Sequence, residues 1–215
     1  MSASDVRDDG EPGRLAEEVR AAAPTGRSGA LVGIDGPGGS GKSTLAAVLA
    51  AEIADAVVVH GDDFYRPSAD RPRGTAASGG QFDLDRLLRQ VVAPAASGGA
   101  VRYQRYDWSR DELAEWIPVP AGVTVIVEGV YCTELRLRDY YDYRIFCVAD
   151  QAVRLRRGLE RDGEAARSQW LDDWIPAEDR YIAGQRPDLA AQVVLASDGS
   201  DDDSAPVFRR VELSA

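Results

Sequence analysis

Lysine, histidine, cysteine and asparagine are nearly missing from this 215-residue chain: one Lys, one His, two Cys and no Asn. Two cysteines, Cys132 and Cys147, cannot make a disulfide framework, so a reducing, cytoplasmic setting is expected. Long apolar runs are missing too. No stretch approaches the ~20 residues of a membrane helix, and the polar, acidic N-terminus has no signal-peptide core. These absences predict no membrane partner. There is no excess of positive charge: 25 Lys+Arg against 36 Asp+Glu leave a net charge of −11, which argues against nucleic-acid binding. What is present, a 44% hydrophobic composition over this length, suffices for one soluble domain with a sizeable core.

The single lysine stands in Gly36-Pro37-Gly38-Gly39-Ser40-Gly41-Lys42-Ser43, which fits the phosphate-binding pattern G-x-x-x-x-G-K-[ST]. Glycine lets the backbone take positive φ and approach a ligand closely. Successive N–H groups can then wrap a polyphosphate, and the following helix, from Thr44 on, adds the positive end of its dipole. Lys42 would reach the β- and γ-phosphates of ATP, and the Ser43 hydroxyl would ligate Mg²⁺. Residues 30–35 are apolar and β-prone and residues 44–53 are rich in helix formers, the flanks such a loop needs. Without asparagine the chain cannot carry the guanine-reading N-K-x-D, so a Ras-type GTPase switch is excluded.

Alternation of strand and helix along the chain predicts an α/β fold with a parallel five-stranded sheet wrapped on both faces. The expected strands are 30–35, 56–60, 123–127, 143–148 and 193–195, with a small hairpin pairing 101–106 with 115–119. Helices are expected at 14–23, 82–92, 150–161 and 167–182, and a mobile Arg/Pro/Gly/Ser-rich loop at 66–80. Residues 1–13 read as disordered, 14–197 as the catalytic domain and 198–215 as an acidic tail whose Asp198, Asp201, Asp202 and Asp203 form a solvated run.

Ligands of open α/β sheets sit beyond the carboxyl ends of the strands. Asp35, Asp62/Asp63 and Glu128 all fall there. A phosphoryl transferase needs a group to take or orient the acceptor's hydroxyl proton and a carboxylate near Mg²⁺. Asp62 and Glu128 can supply these, the alternative for each being a turn or helix cap. Asp35 either joins them or braces the loop. Arg154, Arg157 and Arg161 recur at i, i+3 and i+7, one helix face, and can clamp transferring phosphates or form a solvated, ion-paired surface. Arg167 can extend such a clamp from a lid. Tyr65, Tyr103, Tyr106 and Trp108 either wall a ring-binding site or fill the hairpin core. His60, the only histidine, reads as a packed strand-end residue.

Over residues 29–196 the chain resembles the uridine kinase family of P-loop kinases, whose clan includes phosphoribulokinase and bacterial pantothenate kinase. Asp62-Asp63-Phe64-Tyr65 is similar to the family's D-S-F-Y, whose Asp is the catalytic base. Phe82-Asp83 resembles its F-D, whose Asp holds sugar hydroxyls, and Tyr106-Asp107-Trp108 its Y-D-[FY] over the nucleoside. Val127-Glu128-Gly129-Val130 matches V-E-G-[IV]. Arg154, Arg157, Arg161 and Asp162 match the R-x-x-R-x-x-x-R-D lid helix, and Gln169 is similar to a substrate-contacting Gln. The chain departs from the family at Ser109-Arg110-Asp111, where uridine and cytidine kinases have a pyrimidine-contacting His, and its lid after Asp162 is shorter.

The resemblance implies an ATP- and Mg²⁺-dependent kinase. Lys42, Asp62, Arg157 and Arg161 would be catalytic. The loop residues Gly36, Gly38, Gly39, Ser40, Gly41, Ser43 and Thr44, with Arg154, would bind the nucleotide. Asp62, Tyr65, Asp83, Tyr106, Trp108, Glu128, Arg161 and Gln169 would contact the acceptor, and Ser43 and Glu128 the metal. The expected acceptor is the 5′-hydroxyl of uridine or cytidine. The missing His favours a different small alcohol, such as a pantothenate-like, ribosyl or natural-product acceptor. A regulatory ATP-binding module is a third reading, and a homo-oligomer stays open.

Overall fold

The computed structural model describes residues 10–72, 79–197 and 207–212. Its centre is a six-stranded sheet in the order β2-β5-β1-β6-β7-β8, formed by β1 (Leu31–Asp35), β2 (Ala56–His60), β5 (Thr124–Glu128), β6 (Tyr143–Val148), β7 (Val193–Ser197) and β8 (Phe208–Arg210). The first five of these strands are parallel. β1 and β5 are buried at every position, as central strands covered on both faces must be, and their sequences are accordingly apolar almost throughout. Alternation then divides the core. Leu31, Val125 and Val127 face one cluster with the hairpin β3 (Val101–Asp107) and β4 (Glu112–Val119). Val32, Ile34 and Ile126 face the other, with α1 (Gly10–Ala22) and α2 (Lys42–Glu52).

The sheet has one strand more than the five expected. β8 runs antiparallel to β7, pairing Leu195 with Arg210 and Ser197 with Phe208. It lies inside the stretch read as an acidic tail, of which 198–206 and 213–215 fall outside the described residues. A strand of three residues with two arginines carries no readable alternation. Phe208 is buried in the second core cluster, and Arg210 pairs with Glu11 and with Glu18 at 2.9 Å on α1. That helix begins at Gly10, so residues 10–13, expected to be disordered, form its first turn; residues 1–9 lie outside the described set. Leu15, Ala16 and Val19 bury its inner stripe.

The loop expected over 66–80 is held at its ends: Arg66 N–H donates to Gln81 O at 2.9 Å, and Tyr65 bridges Phe82. Residues 73–78 lie outside the described set. Helix α3 (Leu84–Leu87) opens with Asp83 as its N-cap, widens to a π turn over Leu88–Val92 and closes as α4 (Ala93–Ala96). The same device recurs after α5 (Leu135–Arg138) and α6 (Gln151–Asp162), where a π turn over Gln169–Trp174 leads into α7 (Ile175–Gln185) and then α8 (Pro187–Ala190). Both π turns run up to a proline, Pro94 or Pro176. Proline offers no N–H to the carbonyl four residues back, so the ladder widens just before it.

Candidate active site

A cavity of about 1300 Å³ opens beyond the carboxyl ends of β1, β2 and β5. Its floor is the phosphate loop. Gly39 has φ +74°, and a Cβ there would lie 2.6 Å from the Arg154 carbonyl oxygen, so only glycine lets α6 pack this close. Gly38, Gly39, Gly41, Lys42, Ser43 and Thr44 line the cavity. Gly36 and Ser40 stay behind it: Gly36 N–H donates to Asp35 Oδ1 at 2.6 Å, and the fully buried Ser40 accepts from Ser197 Oγ through its carbonyl. Lys42 opens α2 and donates from Nζ to Pro37 O at 2.8 Å, curling over the loop.

The four carboxylates at the strand ends have separate places. Asp35 is fully buried and accepts from Tyr131 N–H, Thr133 N–H, Thr133 Oγ1 and the Tyr181 hydroxyl as well as Gly36. It braces the loop and does not reach the cavity. Asp63 turns to the hairpin, where Tyr103 OH donates to it at 3.2 Å. Asp62 faces the cavity. Protein encloses its carboxylate on most sides even though cavity solvent reaches it. That enclosure pushes its pKa up, the negative charge of Glu128 adds to this, and Lys42, Arg161 and His60 oppose it. Glu128 accepts from Ser43 Oγ at 3.2 Å through Oε2 and meets His60 Nδ1 at 2.7 Å through Oε1. His60 is therefore not packed as expected; its side chain is 53% exposed and turned onto Glu128. The Ser43 and Glu128 oxygens form a small, hard donor pair of the kind that suits Mg²⁺. Among the described residues no group of three or more His, Cys, Asp or Glu could hold a metal, so a cation here would complete its shell from phosphate and water.

The arginine face divides. Arg157 and Arg161 line the cavity. Arg157 donates to Gly39 O at 3.1 Å and Ser197 Oγ at 2.8 Å; Arg161 pairs with Asp162 and lies 5.9 Å from the Trp170 ring centre. Arg154 is buried behind the loop, 3.5 Å from Glu178, and does not line the cavity, contrary to its expected place in the clamp. Arg167 pairs with Glu164 on the outside, away from the cavity.

The aromatic groups divide as well. Tyr65 and Trp108 line the cavity with ring centres 4.4 Å apart, and Trp108 is 55% exposed. Tyr106 stands behind them, edge-on to Trp108, with its hydroxyl between Arg71 and Asp111. Tyr103 packs on Phe64 in the core. Asp83 is also off the cavity: it caps α3 by accepting from Arg86 N–H at 3.0 Å and pairs with Arg66 at 3.5 Å. Gln169 is exposed and outside the lining, and its neighbour Trp170 takes the wall instead.

Trp170, Tyr131 and Glu178 are among the wall residues that carried no signal in the sequence. Tyr131 packs on Phe82 and Tyr181 and holds φ +69°, fixed by the bond from its N–H to Asp35. Glu178, from α7, accepts the Gly38 N–H at 3.1 Å, and burial pushes its pKa up. The run Glu128-Gly129-Val130 could have pointed to Tyr131 as the next strand-end residue. Glu178 lies 140 positions from its partner, beyond any local pattern.

The sequence profile of the Phosphoribulokinase / Uridine kinase family matches residues 31–175, from the first strand to the start of α7. The chain belongs to this family. It is a small-molecule kinase, a phosphotransferase with an alcohol group as acceptor. A uridine kinase of Leuconostoc citreum is 28% identical over 73% of this kinase and 78% of its own length. A uridine kinase of Proteus mirabilis is 30% identical over 74% and 80%. A Bacillus stearothermophilus structure described as "a Possible Uridine Kinase" superposes with a TM-score of 0.64 over 85% of this kinase and 96% of that chain, at 22% identity, which bears on the fold alone. No helix among the described residues of this kinase is long and apolar enough to cross a membrane.

Proposed function

We propose that this kinase transfers the γ-phosphate of ATP to the 5′-hydroxyl of uridine or cytidine. The observation that carries the reading is Asp62, a cavity-facing carboxylate among Lys42, Glu128 and Arg161 and beside the ring pair Tyr65 and Trp108. The loop N–H groups and Lys42 bind the β- and γ-phosphates. Asp62 accepts the proton of the attacking hydroxyl, and the raised pKa of its carboxyl makes it a stronger base for that transfer. Arg157 and Arg161 oppose the charge spreading over the phosphoryl oxygens. Tyr65 and Trp108 give a planar ring a face to stack on. Ser43 and Glu128 would hold Mg²⁺, which when bound neutralises phosphate charge.

A second reading, a different small alcohol as acceptor, is favoured by the turn of the hairpin. Asp111 is engaged by Tyr106 OH at 2.5 Å and Ser68 N–H at 2.8 Å, and Ser109 donates to Asp107 at 2.7 Å. Those side chains are committed within the turn, where a pyrimidine edge would need a partner.

ADP release from Mg·ATP, with and without uridine or cytidine, tests the reading, with Asp62→Asn as control. Strong stimulation that the variant loses supports nucleoside phosphorylation. No stimulation, with turnover on a pantothenate-like, ribosyl or natural-product alcohol, supports the second reading. ATP binding without transfer to any alcohol would leave a regulatory module.

A further inference from the structure

Resting on the reading just given of Glu128 as a metal-holding carboxylate, we infer that His60 is a positioning residue for the cation site of this kinase. A carboxylate that is to offer one chosen oxygen to a cation must have its rotation about the Cγ–Cδ bond fixed, and a donor on the other oxygen does this. Glu128 has that arrangement. Its Oε1 meets His60 Nδ1 at 2.7 Å, and its Oε2 faces Ser43 Oγ at 3.2 Å. The side chain of Glu128 is 7% exposed, so water has little room to replace the imidazole donor. His60 and Glu128 are cross-strand partners in the register of β2 and β5, so the sheet itself delivers the ring to the carboxylate. The other side of the ring opens to solvent, and His60 does not line the cavity. It thus touches neither the phosphates nor the acceptor. It acts through Glu128, presenting Oε2 toward the loop.

The two oxygens of Glu128 thus have separate partners. His60→Ala leaves Oε1 without its donor and frees the carboxylate to turn away from Ser43. His60→Asn keeps a side-chain N–H near the position of Nδ1 and restores the hold. Outer partners of metal ligands characteristically change metal affinity by about 10–100-fold.

The test is a Mn²⁺ titration of the full chain with ADP, followed by electron paramagnetic resonance, with no acceptor present. His60→Ala is expected to weaken Mn²⁺ binding about 10-fold while leaving metal-free ADP affinity unchanged, and His60→Asn to recover most of the loss. Ser43→Ala and Glu128→Gln are the controls. If the controls weaken Mn²⁺ binding and His60→Ala does not, His60 has no positioning role. If His60→Ala weakens it and His60→Asn gives no recovery, the ring is not acting as the donor to Oε1 and the inference fails. A lower melting temperature with unchanged Mn²⁺ affinity assigns His60 to stability alone. If the controls leave Mn²⁺ affinity unchanged, the metal reading of Glu128 itself fails and this inference falls with it. Nucleoside turnover is read separately, so an error about the acceptor does not touch this result.

Discussion

Asp62 and Asp63 are adjacent in sequence and part company in space. Asp63 receives the Tyr103 hydroxyl at the hairpin, while Asp62 faces the phosphate loop. Of the two, only Asp62 lines the cavity. Asp62→Asn should lower kcat by about 10²–10⁴-fold while leaving the KM for ATP within about twofold, as steady-state assays at varied ATP will show. The pH profile carries the same assignment. Enclosure and the neighbouring charge of Glu128 push the Asp62 pKa up from 3.8. A base must be deprotonated to work, so kcat should fall on acidification through a pKa above that ordinary value. An acidic limb at or below 3.8 would count against Asp62. The residues that were legible in the sequence are those whose signal is local. The phosphate loop fits within eight positions, and Asp62 precedes Phe64 and Tyr65 in one short run. Those that were not legible depend on partners far along the chain, as His60 does on Glu128 and Glu178 does on Gly38.

At the scale of elements, α6 shows what spacing cannot give. A period of 3.6 residues leaves Arg154, Arg157 and Arg161 within about 60° of one another, so spacing alone treats all three alike, as a clamp or as a solvated surface. The arrival of α7 divides them, since Glu178 takes Arg154 out of the cavity and leaves the other two in it. Trp170 completes this joint. Its ring sits between Gly158 of α6 and Gly38 of the loop, with Nε1 donating to Asp162 at 3.0 Å. A Cβ on Gly158 would come within 2.3 Å of the indole. In an open helix Gly→Ala adds about 1 kcal/mol of stability. Here overpacking of a fully buried ring opposes it, and Gly158→Ala should destabilise the kinase by about 1–3 kcal/mol. Urea denaturation reads this directly; a gain in stability would mean the indole moves aside freely. The two π turns were not foreseen because the helical pattern runs unbroken through both; only the prolines that follow them mark the place.

Across the whole molecule, the parallel core was readable from its five apolar runs, while the closing strand was not. β8 depends on one buried ring, Phe208, and on Arg210 reaching Glu11 and Glu18 on the first helix. Both ends of the described chain thus meet on one edge of the sheet, and β8 covers the backbone groups that β7 would otherwise expose. Phe208→Ala should cost about 3 kcal/mol and speed hydrogen exchange at the β7 amides more than at those of β2 on the opposite edge. Uniform acceleration across the sheet would mean that β8 contributes to global stability without guarding that edge.

The single lysine gives this kinase an experimental handle. Lys42 is the one side-chain primary amine in the sequence, and it sits buried against the phosphate loop with its ammonium on Pro37 O. Any amine-directed reagent aimed at a side chain, whether an acylating ester or a reducible aldehyde, has a single destination. The extent of labelling on the peptide that contains Lys42, followed by mass spectrometry, becomes a gauge of whether a nucleotide is in place. ATP should protect that peptide, and an acceptor alone should not.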